Sequence, residues 1–198
     1  MELRPKVDGS NGYEEHAETF MRARNSRIGP DVMRDWAGQF ARGAEILELG
    51  CGHGVISEVL IRAGLTLFAV DASPTLLTVF RKRFPQVRTE NAAAQDAQFF
   101  SRTFDGIVAW GLIFLLEESV QERLIAQVGC ALHPGGKFVF TAPHDAVEWV
   151  DGITGKPSWG LGADRYKQLL NEAGLKVLPG QTDAGDNYYF YAVREQGQ

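Results

Sequence analysis

Three glycines at alternate positions, Gly50, Gly52 and Gly54, close the run Ile46-Leu47-Glu48-Leu49-Gly50-Cys51-Gly52-His53-Gly54, and a helical pattern follows at once. Glycine is placed where the backbone takes positive φ or where a Cβ would obstruct a ligand, and three in one turn exceed what a strand-to-helix connection needs. Such a turn suits the close approach of backbone to a nucleotide-type cofactor. A dinucleotide fingerprint is G-x-G-x-x-G; here the third glycine comes one residue early and Val55 stands at the later position, which argues against NAD and FAD. Downstream, Leu65-Thr66-Leu67-Phe68-Ala69-Val70-Asp71 reads as a buried strand ending in a carboxylate. At the end of the second strand of a βαβ unit, a carboxylate is placed to accept hydrogen bonds from ribose hydroxyls.

The segments Glu48-Leu49-Gly50-Cys51-Gly52-His53-Gly54 and Val70-Asp71-Ala72-Ser73-Pro74-Thr75-Leu76-Leu77 resemble the first motif and the post-second-strand segment of class I S-adenosylmethionine-dependent methyltransferases. The likeness extends from about Tyr13 to Arg194. It implies a Rossmann-like sheet of seven strands with the last inserted antiparallel, S-adenosylmethionine as methyl donor and S-adenosylhomocysteine as product. Ligands of open α/β sheets sit beyond the carboxyl ends of the strands, so the candidate residues follow each strand in turn. Gly50, Cys51, Gly52 and Gly54 would let backbone approach the methionine and ribose, Asp71 would hold the ribose hydroxyls, and Ala72 and Ser73 would lie beside adenine. After the third strand the family carries an acid followed by a small residue. This chain has Asn91-Ala92-Ala93-Ala94-Gln95-Asp96, with alanine where the acid is expected, so Ala93, Ala94 and Gln95 are the candidates, chiefly through their backbone. Trp110, Gly111 and Leu112 would lie below the sulfonium and the methionyl chain. Arg24 shares a helix face with Tyr13 and Phe20, and its guanidinium can pair with a methionine carboxylate through two hydrogen bonds.

Methyl transfer from a sulfonium asks for in-line alignment and exclusion of water, with a base only where the acceptor must lose a proton. The absence of a recognisable triad or metal-ligand spacing fits that demand. His144, after the fifth strand, is the candidate general base; His53, in the glycine turn, packs or touches cofactor. Trp149, Trp159, Tyr188, Tyr189 and the N-terminal helices are candidates to contact the acceptor, for which a small molecule is expected. Two rival readings stand beside this one: a cofactor-binding module with regulatory work only, and another transferase on the same scaffold, such as an aminopropyl transferase.

The elements that must position these residues follow from periodicity. A helix is expected from Tyr13 to Arg24, and a second after Gly29-Pro30 with Val32, Met33, Trp36 and Phe40 inward. Strands are expected at Ala44–Gly50, up to Asp71, at Val87–Asn91, Phe104–Trp110 and Lys137–Ala142, alternating with helices. His133-Pro134-Gly135-Gly136 reads as a stop before the last of these. The segment His144–Gly162 fits neither period and reads as an irregular flank. Leu175–Gln181 and Tyr188–Arg194 are joined by too few residues for a parallel crossover, so they must pair antiparallel. The whole is expected to be a three-layer α/β sandwich in a single domain, residues 1–198, with N-terminal helices over 1–43 and a cofactor-binding core over 44–198.

Composition narrows the classes. The 198 residues are 44% hydrophobic and 23% charged, ordinary for one globular domain. A formal charge of −5, without a clustered basic stripe, disfavours a nucleic-acid partner. No run approaches the roughly 20 apolar residues that span a bilayer. Cys51 and Cys130 lack metal-ligand spacing and suit a reducing cytoplasm. Oligomeric state has no signal in the chain.

Overall fold

The structure, a computed structural model, describes residues 9–23 and 29–196. Helices α1 (Ala17–Ala23) and α2 (Pro30–Ala37) precede an alternation of β1 (Glu45–Leu49), α3 (Val55–Arg62), β2 (Thr66–Asp71), α4 (Pro74–Arg83), β3 (Arg88–Asn91) and β4 (Phe104–Ala109). Then follow α5 (Glu118–Ala131), β5 (Leu132–Thr141), β6 (Ala146–Val150), β7 (Pro157–Leu161), α6 (Ala163–Glu172), β8 (Leu175–Thr182) and β9 (Tyr188–Arg194).

Seven strands form one sheet in the order β3-β2-β1-β4-β5-β9-β8. β1 pairs parallel with β2 and β4, whereas β9 runs antiparallel to both its neighbours, with Val139 opposite Tyr191. The expected parallel sheet with an inserted antiparallel last strand is therefore present. The central strands are apolar runs because both faces are covered. Leu47 and Leu49 point into the core layer shared with α5 and α6, and Ile46 into the layer beneath α2, α3 and α4. Gly106 of β4 admits α2 to the sheet, since a Cβ there would lie 2.7 Å from Phe40 and 2.9 Å from Trp36.

Three expectations need correction. The Tyr13–Arg24 helix is helical only from Ala17 among the described residues. Asn11 and Gly12 take positive φ, at 51° and 87°. Turns therefore occupy residues 9–16, with Tyr13 N–H donating to Ser10 O at 3.0 Å and His16 N–H to Gly12 O at 3.2 Å. The His133-Pro134-Gly135-Gly136 stop lies inside β5, which absorbs it as a register shift between Leu132, opposite Phe104, and Lys137, opposite Gly106. The segment expected to be irregular is a hairpin, β6 paired with β7, with Glu148 opposite Trp159. Its turn is held by Asp151, whose Oδ1 accepts from Ile153 N–H at 3.0 Å and Thr154 N–H at 2.8 Å. Buried Gln121 of α5 ties the hairpin to the body, donating from Nε2 to Leu116 O at 2.7 Å and to Trp159 O at 3.0 Å.

Candidate functional site

A cleft opens beyond the carboxyl ends of β1, β2 and β4, where an open α/β sheet places its ligands. Its floor is the glycine turn. Gly50 N–H and Cys51 N–H both donate to Val70 O, at 2.8 and 3.1 Å, which docks the turn on β2. Gly50 and Gly52 have φ of 72° and 53° and line the cleft; a Cβ on Gly52 would stand 3.1 Å from Phe20. Gly54 serves packing instead, because a Cβ there would run into Phe84.

Two carboxyl groups lie under this turn. Asp71, 9% exposed, accepts from Gly52 N–H at Oδ2 (2.7 Å) and from Ser73 N–H at Oδ1 (2.8 Å). Burial, with the nearby Glu14 charge, raises its pKa more than these two bonds lower it, so the net shift is upward. Each oxygen retains a further lone pair for a ligand hydroxyl. Glu48, 2% exposed on β1, accepts from Ser57 Oγ at 2.5 Å. Burial, aided by the neighbouring Asp71 charge and opposed by the Ser57 bond, pushes the Glu48 carboxyl up to about 8. The Cys51 thiol between them is pushed up by burial and by both carboxylates.

The adenine-side candidates divide. Ala72, Ala94 and Gln95 line the cleft. Ser73 instead caps α4, its Oγ accepting from Leu76 N–H at 3.1 Å. Ala93 is turned towards the N-terminal segment, where a Cβ on Gly9 would approach its side chain to 2.9 Å. The Gln95 Oε1 acceptor and the Asn11 Nδ2 donor are buried among cleft residues without a hydrogen-bond partner among the described residues. Buried polar atoms are nearly always paired, so an unpaired donor and an unpaired acceptor on one cleft fit a ligand with the complementary edge.

Past β4, Trp110, Gly111 and Leu112 form the wall, joined by Leu115 and Leu116. Gly111 N–H donates to Thr141 Oγ1 at 2.7 Å, and the Trp110 indole N–H donates to Tyr189 Oη at 2.9 Å. The N-terminal segment forms the cover. Phe20 meets Tyr13 edge-on at 5.2 Å between ring centroids and His53 at 5.7 Å. Tyr13 donates to Asp151 Oδ2 at 3.1 Å, which fastens the cover to the hairpin turn. Glu14 fastens it to α4, accepting from the Ser73 hydroxyl, from Thr75 N–H at 3.1 Å and from Thr75 Oγ1 at 2.6 Å.

Eleven of the fourteen residues expected to hold a cofactor line this cleft: Tyr13, Phe20, Gly50, Cys51, Gly52, Asp71, Ala72, Ala94, Gln95, Trp110 and Gly111. Ser73 and Ala93 flank it, and Arg24 lies outside the described residues. His144 is outside the cleft lining, with its side chain 56% exposed and its Nδ1 3.3 Å from Asp145 Oδ1. Trp149, Trp159, Tyr188 and Tyr189 also fall outside the lining; Trp149 packs on Phe114 at 5.4 Å and Tyr188 on His144 at 4.8 Å. Sequence reasoning missed Gly9, Ser10, Asn11 and Glu48. An acid inside an apolar strand and the turn-forming string Gly9-Ser10-Asn11-Gly12 were the signals available. Among the described residues no cluster of His, Cys, Asp and Glu is arranged to hold a metal ion, and no helix is long and apolar enough to cross a membrane.

Residues 46–136 match the family model described as a methyltransferase domain. The cypemycin N-terminal methyltransferase of Streptomyces sp. is 34% identical over 145 residues, covering 69% of this chain. The chain spans 58% of that relative's length. Among solved structures, the magnesium protoporphyrin IX methyltransferase of Synechocystis PCC 6803 with bound S-adenosylmethionine superposes with a TM-score of 0.74 at 12% identity, covering 98% of this chain and 100% of that one. The 1,6-didemethyltoxoflavin-N1-methyltransferase of Burkholderia thailandensis, with S-adenosylhomocysteine and 1,6-didemethyltoxoflavin bound, does so with a TM-score of 0.70 at 15% identity, covering 99% and 94%.

Proposed function

We propose that this chain, which has the fold of the class I S-adenosylmethionine-dependent methyltransferases and whose residues 46–136 match a methyltransferase-domain model, transfers a methyl group from S-adenosylmethionine to a small-molecule acceptor. The observation that carries the reading is the cleft floor, where Gly50 and Gly52 bare their backbone at positive φ beside the Asp71 carboxylate.

In this reading Asp71 accepts from the ribose hydroxyls, and Gly50, Cys51 and Gly52 admit the methionyl and ribose parts. Adenine lies beside Ala72, Ser73 and the Ala93–Gln95 loop. There Gln95 Oε1 supplies the side-chain acceptor that the alanines cannot, and a donor-and-acceptor edge such as that of an aminopurine suits Asn11 Nδ2 and Gln95 Oε1 together. The carboxyls of Glu48 and Asp71 lie buried in the floor, and it is their ionised forms that favour a cation there. Trp110 and Gly111 wall the methionyl side, Tyr13 and Phe20 exclude water from above, and Arg24 is the proposed partner of the carboxylate. Bound there, S-adenosylmethionine supplies a methyl group already activated on a sulfonium. The protein's share is then alignment and dryness, which the cover and the apolar wall of Leu112, Leu115 and Leu116 provide. His144 is the proposed base where the acceptor must lose a proton.

Calorimetric titration with S-adenosylmethionine, S-adenosylhomocysteine and NADH, on the wild type and on Asp71→Ala, tests this. We expect binding of both sulfur ligands, weakened at least tenfold by the substitution, and no binding of NADH. A folded wild type that binds neither sulfur ligand would end the methyltransferase reading.

A further inference from the structure

The indole of Trp110 lines the cleft, and its orientation is set by groups that never reach it. Its Nε1–H donates to Tyr189 Oη at 2.9 Å, and Tyr189 Oη–H in turn donates to Asp183 Oδ2 at 2.9 Å. Tyr189 belongs to β9 and is fully buried; Asp183 stands in the turn that joins β8 to β9. The relay thus runs from the turn closing the antiparallel end of the sheet, beneath the strand ends, to the wall of the candidate cofactor site.

Its polarity has only one solution. An indole nitrogen can only donate and an ionised carboxylate can only accept, so the phenol between them must accept from Trp110 and donate to Asp183. Burial pushes the Tyr189 phenol up, which keeps its proton in place. For Asp183, burial acts upward but the bonds from Gly185 N–H, Asn187 and Tyr189 together outweigh it, and the carboxyl is held below its ordinary value. The carboxylate is itself fixed, with Oδ1 accepting from Gly185 N–H at 2.8 Å and from Asn187 N–H at 3.1 Å. On its other side the indole meets Gly29, where a Cβ would come within 2.6 Å of Cζ2. The ring is therefore clamped between a residue too small to push it and a phenol that holds its only polar atom.

We propose that Tyr189 and Asp183 are positioning residues of the cofactor cleft, acting through the Trp110 indole to hold the wall on which the methionyl part of the ligand rests. The inference rests on the cofactor reading of the cleft. Neither residue lines the cleft, so a loss of affinity on altering them is indirect, and a parallel change in the Trp110 indole signal assigns it to that ring.

The test uses the full chain and S-adenosylhomocysteine as probe. The Trp110 indole proton is assigned in the NMR spectrum with Trp110→Phe, and its solvent exchange is followed in the wild type, Tyr189→Phe, Asp183→Ala and Asp183→Asn, alongside ligand affinity by calorimetry. In Tyr189→Phe the indole proton should exchange at least tenfold faster and affinity should fall about tenfold. Asp183→Ala, which touches no atom of Trp110, should shift the same signal and weaken binding three- to tenfold. Asp183→Asn, which keeps an acceptor oxygen, should restore most of both. A purely structural role would lower thermal stability without moving the indole signal. Unchanged exchange and affinity in folded Tyr189→Phe and Asp183→Ala, with a wild type that binds, would overturn the relay. A wild type that binds no S-adenosylhomocysteine would overturn the cofactor reading instead, and the relay would then stand or fall on the indole signal alone.

Discussion

Glu48 sits where an acid is costly, inside β1 and almost without solvent, and its carboxyl is raised from 4.5 to about 8. The folded state therefore holds this proton more tightly than the unfolded state does. The associated stability is complete below pH 4.5 and is lost as pH rises towards 8. Urea titrations across that window should show the wild type losing stability relative to Glu48→Gln, whose amide cannot ionise; parallel curves would sink the assignment. The same residue links protonation to binding. A sulfonium or ammonium near Glu48 favours its charged form, so S-adenosylmethionine binding at pH 7 should release a proton. Calorimetry in buffers of different ionisation enthalpy reads that release directly, and a binding heat independent of buffer would refute it. At Gly52, Gly52→Ala places a side chain at φ 53° with Phe20 3.1 Å away. The left-handed backbone alone costs roughly 1–2 kcal/mol. Displacement of Phe20 should add a loss of cofactor affinity of at least tenfold, measurable in the same titration.

Among the elements, the N-terminal segment forms the cover, and among the described residues its bonds include those of Tyr13 to the β6–β7 hairpin turn and of Glu14 to α4. Glu14 supplies a cap to α4 from outside its own sequence neighbourhood, through Ser73 and Thr75. Glu14→Ala should cost about 1 kcal/mol, as lost caps do. It should also make cleavage after Arg22 by trypsin faster, because the segment then loses its bonds to Ser73 and Thr75; an unchanged cleavage rate would show that Glu14 is not the fastening. These are also the elements that sequence reasoning read least well. The glycine turn, Asp71 and the central strands were legible because their signals are local: unbroken apolar runs ended by glycine or by an acid. The hairpin was not, because β7 holds the poor strand formers Pro157 and Gly160 and most of β6 is exposed. It is stabilised instead by distant partners, Phe114 against Trp149 and Gln121 beneath Trp159. Periodicity within a window carries no trace of a partner on another element. The turn at Asn11 and Gly12 escaped for a like reason, since Glu14 answers to residues of α4.

Over the whole molecule, one glycine sets how the front layer meets the sheet. Gly106 leaves the hollow in which Phe40 and Trp36 lie, so Gly106→Val should overpack that layer and cost about 1–3 kcal/mol. Denaturant unfolding will show a lower midpoint with an unchanged slope if this holds, and an unchanged midpoint if the layer can yield. The sheet order itself was legible as far as topology goes: a short link forced β8 and β9 antiparallel, and β9 does run against both its neighbours. The relay from β9 to Trp110 was invisible, because nothing in a sequence joins Trp110 to Tyr189 except the register of the folded sheet. The placement of β9 between β5 and β8 also gives the molecule a direction in time. A nascent chain that has emerged through Thr182 already contains the glycine turn, Asp71 and Trp110. Yet β5 is still an open edge and the indole still lacks its phenol. The ligand-binding half is translated first and finished last, by a strand that must slide into a waiting slot.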